Sequence, residues 1–223
     1  ATYDCTVYML PYAVENIALV RNTALAPDAP TSWDDLVAKG KAAVSSGKAK
    51  YPLLLQQDAV QGDAYHMYPL QASFGAPVFA TAADGSVDAS KVAMGGEPGA
   101  KFAAFLGQLG KDKLINLSIT ADIAKEQFSK GASPYIVTGP WNLADFKKAG
   151  VKYAVSEIPS AGGQPATPFV GVQGAFVSAK SSNGVAANKL LVEYLGAEKV
   201  QTELFKVGNR APANKAAFEA AKA

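Results

Sequence analysis

The chain has 223 residues, 49% of them hydrophobic and 18% charged, with a formal net charge of +2; this is the balance of a folded globular protein, long for one domain and short for two large ones. Lys and Arg are interspersed with Asp and Glu, which argues against nucleic acid as a partner, and no apolar run approaches the roughly 20 residues that cross a bilayer. One cysteine (Cys5) and one histidine (His66) exclude an internal disulfide and a thiolate or imidazole zinc centre.

In chain order, Tyr3-Asp4-Cys5-Thr6-Val7-Tyr8 alternates as a turn and a strand do, with Cys5 as a small packed hydrophobe. Residues 7–10 and 16–20 are short apolar runs broken by Pro11. After Pro30, Thr31-Ser32-Trp33-Asp34-Asp35-Leu36 reads as a capped helix start with acidic residues in the first turn, where the helix dipole favours them; the helix is expected to run to about Ser46, with Trp33 packing at its start. Residues 51–55 read as a buried strand, and 63–74 as a helix in which Pro69 must kink the chain or sit near an end. Phe102, Phe105, Leu106 and Leu109 fall at i, i+3, i+4 and i+7, the core-facing stripe of a helix between Pro98 and Gly110.

The second half continues the alternation. Residues 119–129 read as a helix ended by Lys130-Gly131, 134–138 as a strand, 141–148 as a helix closed by Gly150, and 151–158 as a strand. Pro159-Ser160-Ala161-Gly162-Gly163-Gln164-Pro165 is a boundary-type loop, and Phe169-Val170-Gly171-Val172-Gln173-Gly174-Ala175-Phe176-Val177 is a long extended segment. Helices are expected at about 184–195, 197–207 and from 213 onward, which makes the class α/β. Gly139-Pro140-Trp141 stands out because it sets an indole straight after a strand, on a turn, at the mouth of a helix. A lone Trp is usually core, but one placed there can present a flat apolar face to a ligand.

Five pieces, Leu10-Pro11-Tyr12-Ala13-Val14-Glu15, Pro30-Thr31-Ser32-Trp33-Asp34-Asp35-Leu36, Phe128-Ser129-Lys130-Gly131, Gly139-Pro140-Trp141 and Pro168-Phe169-Val170-Gly171-Val172, occur in the order and spacing of a known family. The chain resembles the bacterial ABC-importer solute-binding proteins for oligosaccharides, in particular the maltose and maltodextrin-binding proteins, over essentially its whole length. The resemblance implies a periplasmic-binding-protein-like α/β fold of two lobes joined by crossover strands. On that plan residues 1 to about 12 are the end of the first lobe and its crossover, 13–167 the second lobe, and 168–223 the crossover and return into the first lobe. It implies further sequence before Ala1 and helices beyond Ala223, so that this chain resembles a fragment and its lack of a signal peptide says nothing about export. The family commonly has Gly where Cys5 stands.

The resemblance also implies site residues. Trp141 matches the family's stacking tryptophan, whose indole takes the apolar C–H face of a pyranose ring. Asp63-Ala64-Tyr65-His66 aligns with an acidic-x-aromatic segment, anchored by Tyr68-Pro69-Leu70: Asp63 can accept two sugar hydroxyls, and Tyr65 offers a ring face and a phenol. Glu15 matches the acidic residue of the first crossover, and His66 is a candidate contact. Each has a plainer reading: Asp63 as a helix cap, Tyr65 as packing, Glu15 as a solvated strand-end charge, and His66 as a helix-surface or supporting residue.

The function so implied is a substrate-binding component of an ABC sugar importer. It captures maltodextrin-like oligosaccharides by lobe closure about residues 10–14 and 168–172 and delivers them to membrane permease subunits from an extracytoplasmic location, with no cofactor and no nucleic acid. Exposed apolar surface on an incomplete first lobe is further expected to favour association with another chain. Two alternatives stay open from sequence: a binding protein for another solute class, and a glycoside hydrolase with Glu15 and Asp63 as its two carboxylates.

Overall fold

The computed structural model describes residues 2–3 and 6–222; Cys5, expected to be a packed hydrophobe, lies outside the described residues. In chain order, β1 (Thr2–Tyr3) and β2 (Thr6–Val7) form a short antiparallel pair, followed by β3 (Leu10–Glu15) and β4 (Ala18–Asn22). Next come α1 (Trp33–Ser45), α2 (Ala64–Ser73), the hairpin of β5 (Phe79–Thr81) and β6 (Val87–Val92), then α3 (Gly96–Lys111) and α4 (Ala121–Ser129). β7 (Tyr135–Thr138) leads through a 3-10 turn (Pro140–Asn142) into α5 (Leu143–Lys148), β8 (Tyr153–Ser156) and β9 (Gly171–Ala175). α6 (Gly184–Lys189) runs on into a π-helical turn (Leu190–Leu195), and α7 (Glu198–Gly208), β10 (Ala211–Pro212) and α8 (Lys215–Ala221) follow.

These elements form two compact units, one from the described residues of 1–16, 139–144 and 170–223, the other from residues 17–138 and 145–169. In the second unit β4 is flanked antiparallel by β7 and β8, and Leu19, Val20, Tyr135 and Ile136 of this sheet are fully buried. Phe128 of α4 and Phe146 of α5 meet beneath it at 4.6 Å between ring centroids. Trp33, at the start of α1, is buried edge-on against Phe105 of α3 at 5.5 Å, the packing role expected of it. The start of α1 is capped as its sequence suggested, Ser32 accepting from the amide of Asp35, and Thr120 likewise caps α4 by accepting from the amide of Ile123.

The first unit is built on a sheet of order β10-β3-β9. Its hub is polar. Gln201 of α7 is fully buried, donating to the carbonyls of Pro11 and Leu195 and accepting from the amide of Asn214, which in turn caps α8. Among the described residues of this unit the buried apolar side chains are Ala13, Pro212 and Ala217. Most of the chain's hydrophobic core therefore lies in the other unit.

Two readings change, the options for Pro69 narrow, and one hairpin is added. The runs at 7–10 and 16–20 are not separated at Pro11, because β3 passes through it: the register against β9 shifts between Pro11 and Ala13, and β10 pairs only with Ala13 and Val14, so the missing proline N–H falls where the ladder is irregular. Residues 51–55 make one parallel bridge, Leu54 to Ile136, instead of a strand ladder; Leu53, Leu54 and Leu55 are buried, but Pro52 has no donor to pair. Pro69 lies inside α2 and away from its ends. The β5–β6 hairpin was not foreseen. Its Asp84-Gly85 turn, with Gly85 at φ +83°, is a hairpin signal, but the strands flanking it are largely exposed and lack an apolar face to mark them.

Candidate functional site

The candidate residues fall into two sets, each described within its own unit. In the larger unit, α2 begins at Asp63 because its carboxylate accepts the otherwise orphaned amide of His66 at 2.9 Å. The same carboxylate meets Nδ1 of His66 at 3.0 Å and accepts from Nε2 of Gln56 at 2.7 Å. Burial pushes the Asp63 carboxyl upward, but the His66 amide, the Gln56 amide and the His66 ring outweigh it and hold the group below the ordinary carboxylate range. Asp63 is thus an ionised cap, and the cap reading of this residue holds. His66 is not on the helix surface: only 6% exposed, it turns back onto Asp63 and supports it.

Tyr65, half-buried, meets the His66 ring edge-on at 5.4 Å and lies nearly parallel to Phe169, at 6.1 Å and 22°. Phe169 in turn stacks on Tyr68 at 3.7 Å and 12°. Tyr65 and Tyr68 share one face of α2 through i, i+3 spacing, and the segment before β9 lays Phe169 against both. The sequence marks neither Phe169 nor Tyr68 as a partner of Tyr65 in this aromatic cluster. The one local signal was an aromatic at the edge of a glycine-containing extended segment. Phe169 is 39% exposed, so an aromatic face next to Tyr65 is open to solvent.

In the smaller unit, Trp141 stands half-buried in the 3-10 turn that follows Gly139. Its benzo ring fills the space that a Cβ on Gly139 would occupy, so glycine at 139 is what lets the indole fold back over the turn. Pro140 suits the first position of that turn, where no N–H is required. Glu15, at the end of β3, is not a solvated charge. Its side chain is 7% exposed, Oε1 accepts from Nε2 of Gln173 at 2.7 Å, and Oε2 pairs with Nε of Arg210 at 2.5 Å. Gly171 of β9 faces it closely, a Cβ there falling 3.2 Å from the Glu15 Cγ. Each oxygen keeps a lone pair for a further donor.

The five sequence candidates therefore divide: Asp63, Tyr65 and His66 form one connected cluster, while Trp141 and Glu15 belong to the other unit. Among the described residues no group of three or more His, Cys, Asp or Glu is placed to hold a metal ion, and no helix is long and apolar enough to cross a membrane. In the larger unit, a ring face beside the ionised, hydrogen-bonded Asp63 carboxylate is suited to an uncharged ligand rich in hydroxyls.

Residues 1–223 match the family model described as bacterial extracellular solute-binding protein. The galactooligosaccharide-binding protein of Bacillus subtilis is 28% identical over 95% of this chain and 50% of its own length, and the maltodextrin-binding protein MdxE of the same organism is 29% identical over 97% and 52%. The structure of the Thermus thermophilus maltotriose binding protein bound with maltotriose superposes with a TM-score of 0.86 at 29% identity, covering 99% of this chain and 58% of that one. The chain spans about half the length of the curated relatives it matches.

Proposed function

We propose, from the premise that this chain belongs to the bacterial extracellular solute-binding protein family, that it is part of the oligosaccharide receptor of an ABC importer. Its ligand is a maltodextrin-like oligosaccharide, captured by domain closure outside the cytoplasm and passed to membrane permease subunits. Relatives described as binding maltodextrin and galactooligosaccharide, and one described as a maltooligosaccharide ABC transporter solute-binding lipoprotein, support the ligand class and the location. The smaller unit is assigned to the first lobe and the larger to the second. Trp141, Tyr65, Asp63, Glu15 and His66 are the proposed ligand residues.

The observation that carries this reading is the posture of Trp141, a half-buried indole whose benzo ring is folded back against Gly139 and kept out of the core. Sugar rings are bound through such faces without charge, and specificity then comes from carboxylate acceptors of the kind Asp63 and Glu15 provide. The hydrolase alternative is not favoured. The family model and the relatives are described as solute-binding proteins, and none is described as a glycosidase. We also assign to the apolar surface of the smaller unit an association with another chain. Calorimetric titration against a panel of maltodextrins, galactooligosaccharides, amino acids and polyamines tests the ligand class: heat with the sugars alone supports it, and heat only with the amino acids or polyamines removes it.

A further inference from the structure

Beyond the Tyr65 cluster lies a depression of about 550 Å³ on the same unit, lined by Tyr68, Phe74, Lys101, Gln164, Pro165 and Thr167. Its wall is fixed. Ser73, fully buried at the end of α2, accepts the amides of Ala161 and Gly162 on its hydroxyl at 3.2 and 3.0 Å, and its carbonyl accepts the amide of Gln164 at 2.8 Å. Gly162 sits so close to Phe74 that a Cβ would fall 2.5 Å from the ring, so only glycine lets the loop lie down there. On the far side Phe74 is held by Phe105 of α3 at 5.2 Å. The pocket is pre-formed, which spares a ligand the cost of ordering it.

Its chemistry is that of the site already described. Tyr68 and Phe74 give ring faces, and Gln164 and Thr167, both exposed, offer an amide and a hydroxyl to solvent. Its lysine, Lys101, pairs with Glu97 at 2.7 Å on the exposed side of α3. The pocket is also continuous with the candidate site through one ring. Tyr68 lines the pocket and stacks on Phe169, which lies beside Tyr65, and Ala72 extends the stripe of Tyr65 and Tyr68 into the pocket at i+7.

We infer that the pocket of Tyr68, Gln164 and Thr167 is an additional subsite for a sugar ring, reached by oligosaccharides long enough to run past Tyr65, Phe169 and Tyr68. The inference rests on the oligosaccharide reading above and extends it to chain-length preference. Titrating the chain with maltotriose and with maltoheptaose, as wild type and as Gln164→Ala/Thr167→Val, separates the two. Two lost hydrogen bonds correspond to about tenfold in affinity. The wild type is expected to prefer maltoheptaose by that factor, and the variant to bind maltotriose as the wild type does while losing the preference. Amide and methyl NMR signals of Gln164 and Thr167 should shift with maltoheptaose and stay in place with maltotriose. Equal affinities for both sugars in the wild type, or an unchanged preference in the variant, overturn the subsite while leaving the receptor reading intact. Binding of neither sugar overturns both.

Discussion

The indole of Trp141 occupies the space into which a side chain on Gly139 would grow. A methyl group at 139 must therefore displace the ring that the proposed sugar contact depends on. Trp141→Ala is expected to remove most oligosaccharide affinity with the circular dichroism spectrum unchanged, and Gly139→Ala to weaken binding by about tenfold or more, as loss of a well-placed aromatic contact does. If Gly139 acts only through the indole, adding Gly139→Ala to Trp141→Ala costs nothing further. A calorimetric double-mutant cycle reads this, and additive losses would assign Gly139 a separate role.

Asp63 supplies a pH dependence with a definite sign. Its folded carboxyl titrates below the unfolded value of about 3.9, so its stabilising bonds to His66 and Gln56 are fully present above that value and are lost as pH falls through the folded one. Asp63→Asn keeps an oxygen to cap α2 but removes the charge. Urea denaturation should show a stability gap between wild type and Asp63→Asn that narrows as pH falls below about 4. A gap that does not change with pH would mean that the ionised form contributes nothing.

The pairing of Glu15 with Arg210 predicts an asymmetry. Arg210→Met leaves a buried carboxylate with Gln173 alone, whereas Glu15→Gln leaves an arginine whose side chain is 36% exposed and can turn to water. Removing one partner of a buried pair costs about 3–5 kcal/mol; with Arg210 partly solvated, about 2 kcal/mol is expected for Arg210→Met and less for Glu15→Gln. Chemical denaturation of the two variants measures the order, and equal losses would contradict it.

What the sequence disclosed and what it hid divide along sequence separation. Ser32, Thr120 and the Gly residues at 131 and 150, with φ of +71° and +81°, fix helix ends through contacts a few residues long, and these were readable from the one-dimensional pattern. The Glu15 to Arg210 bond joins residues 195 apart, and Gln201 reaches Pro11 across 190, so neither pairing leaves a local mark. Phe169 was hidden for the same reason. Its stacking partners lie on α2, and only the folded path of residues 160–169 along that helix brings the rings together. Between the two plainer readings of His66, surface and supporting, helical spacing does not decide, because it does not reveal that the ring folds onto its own cap.

The smaller unit predicts self-association. Ala13, Pro212 and Ala217 are its buried apolar side chains among the described residues, while Val170, Val172 and Phe176 stand exposed at i, i+2 and i+6 along one face of the β9 segment, with Leu204 and Val207 exposed on α7. Among the described residues β9 pairs with β3 alone, so its outer edge is open, and residues 169–179 contain neither a charge nor a proline to guard it. An open, apolar, unguarded edge is a template for another strand, and covering it removes apolar area at about 25 cal/mol per Å². Sedimentation velocity over a concentration series is expected to show association. Val172→Lys/Phe176→Lys, which places charges on the exposed face of β9 without touching the Gln201 hub, is expected to disperse it. A single monomeric species at every concentration of the unaltered chain would show that this surface is tolerated in water, and the association assigned to it would fall.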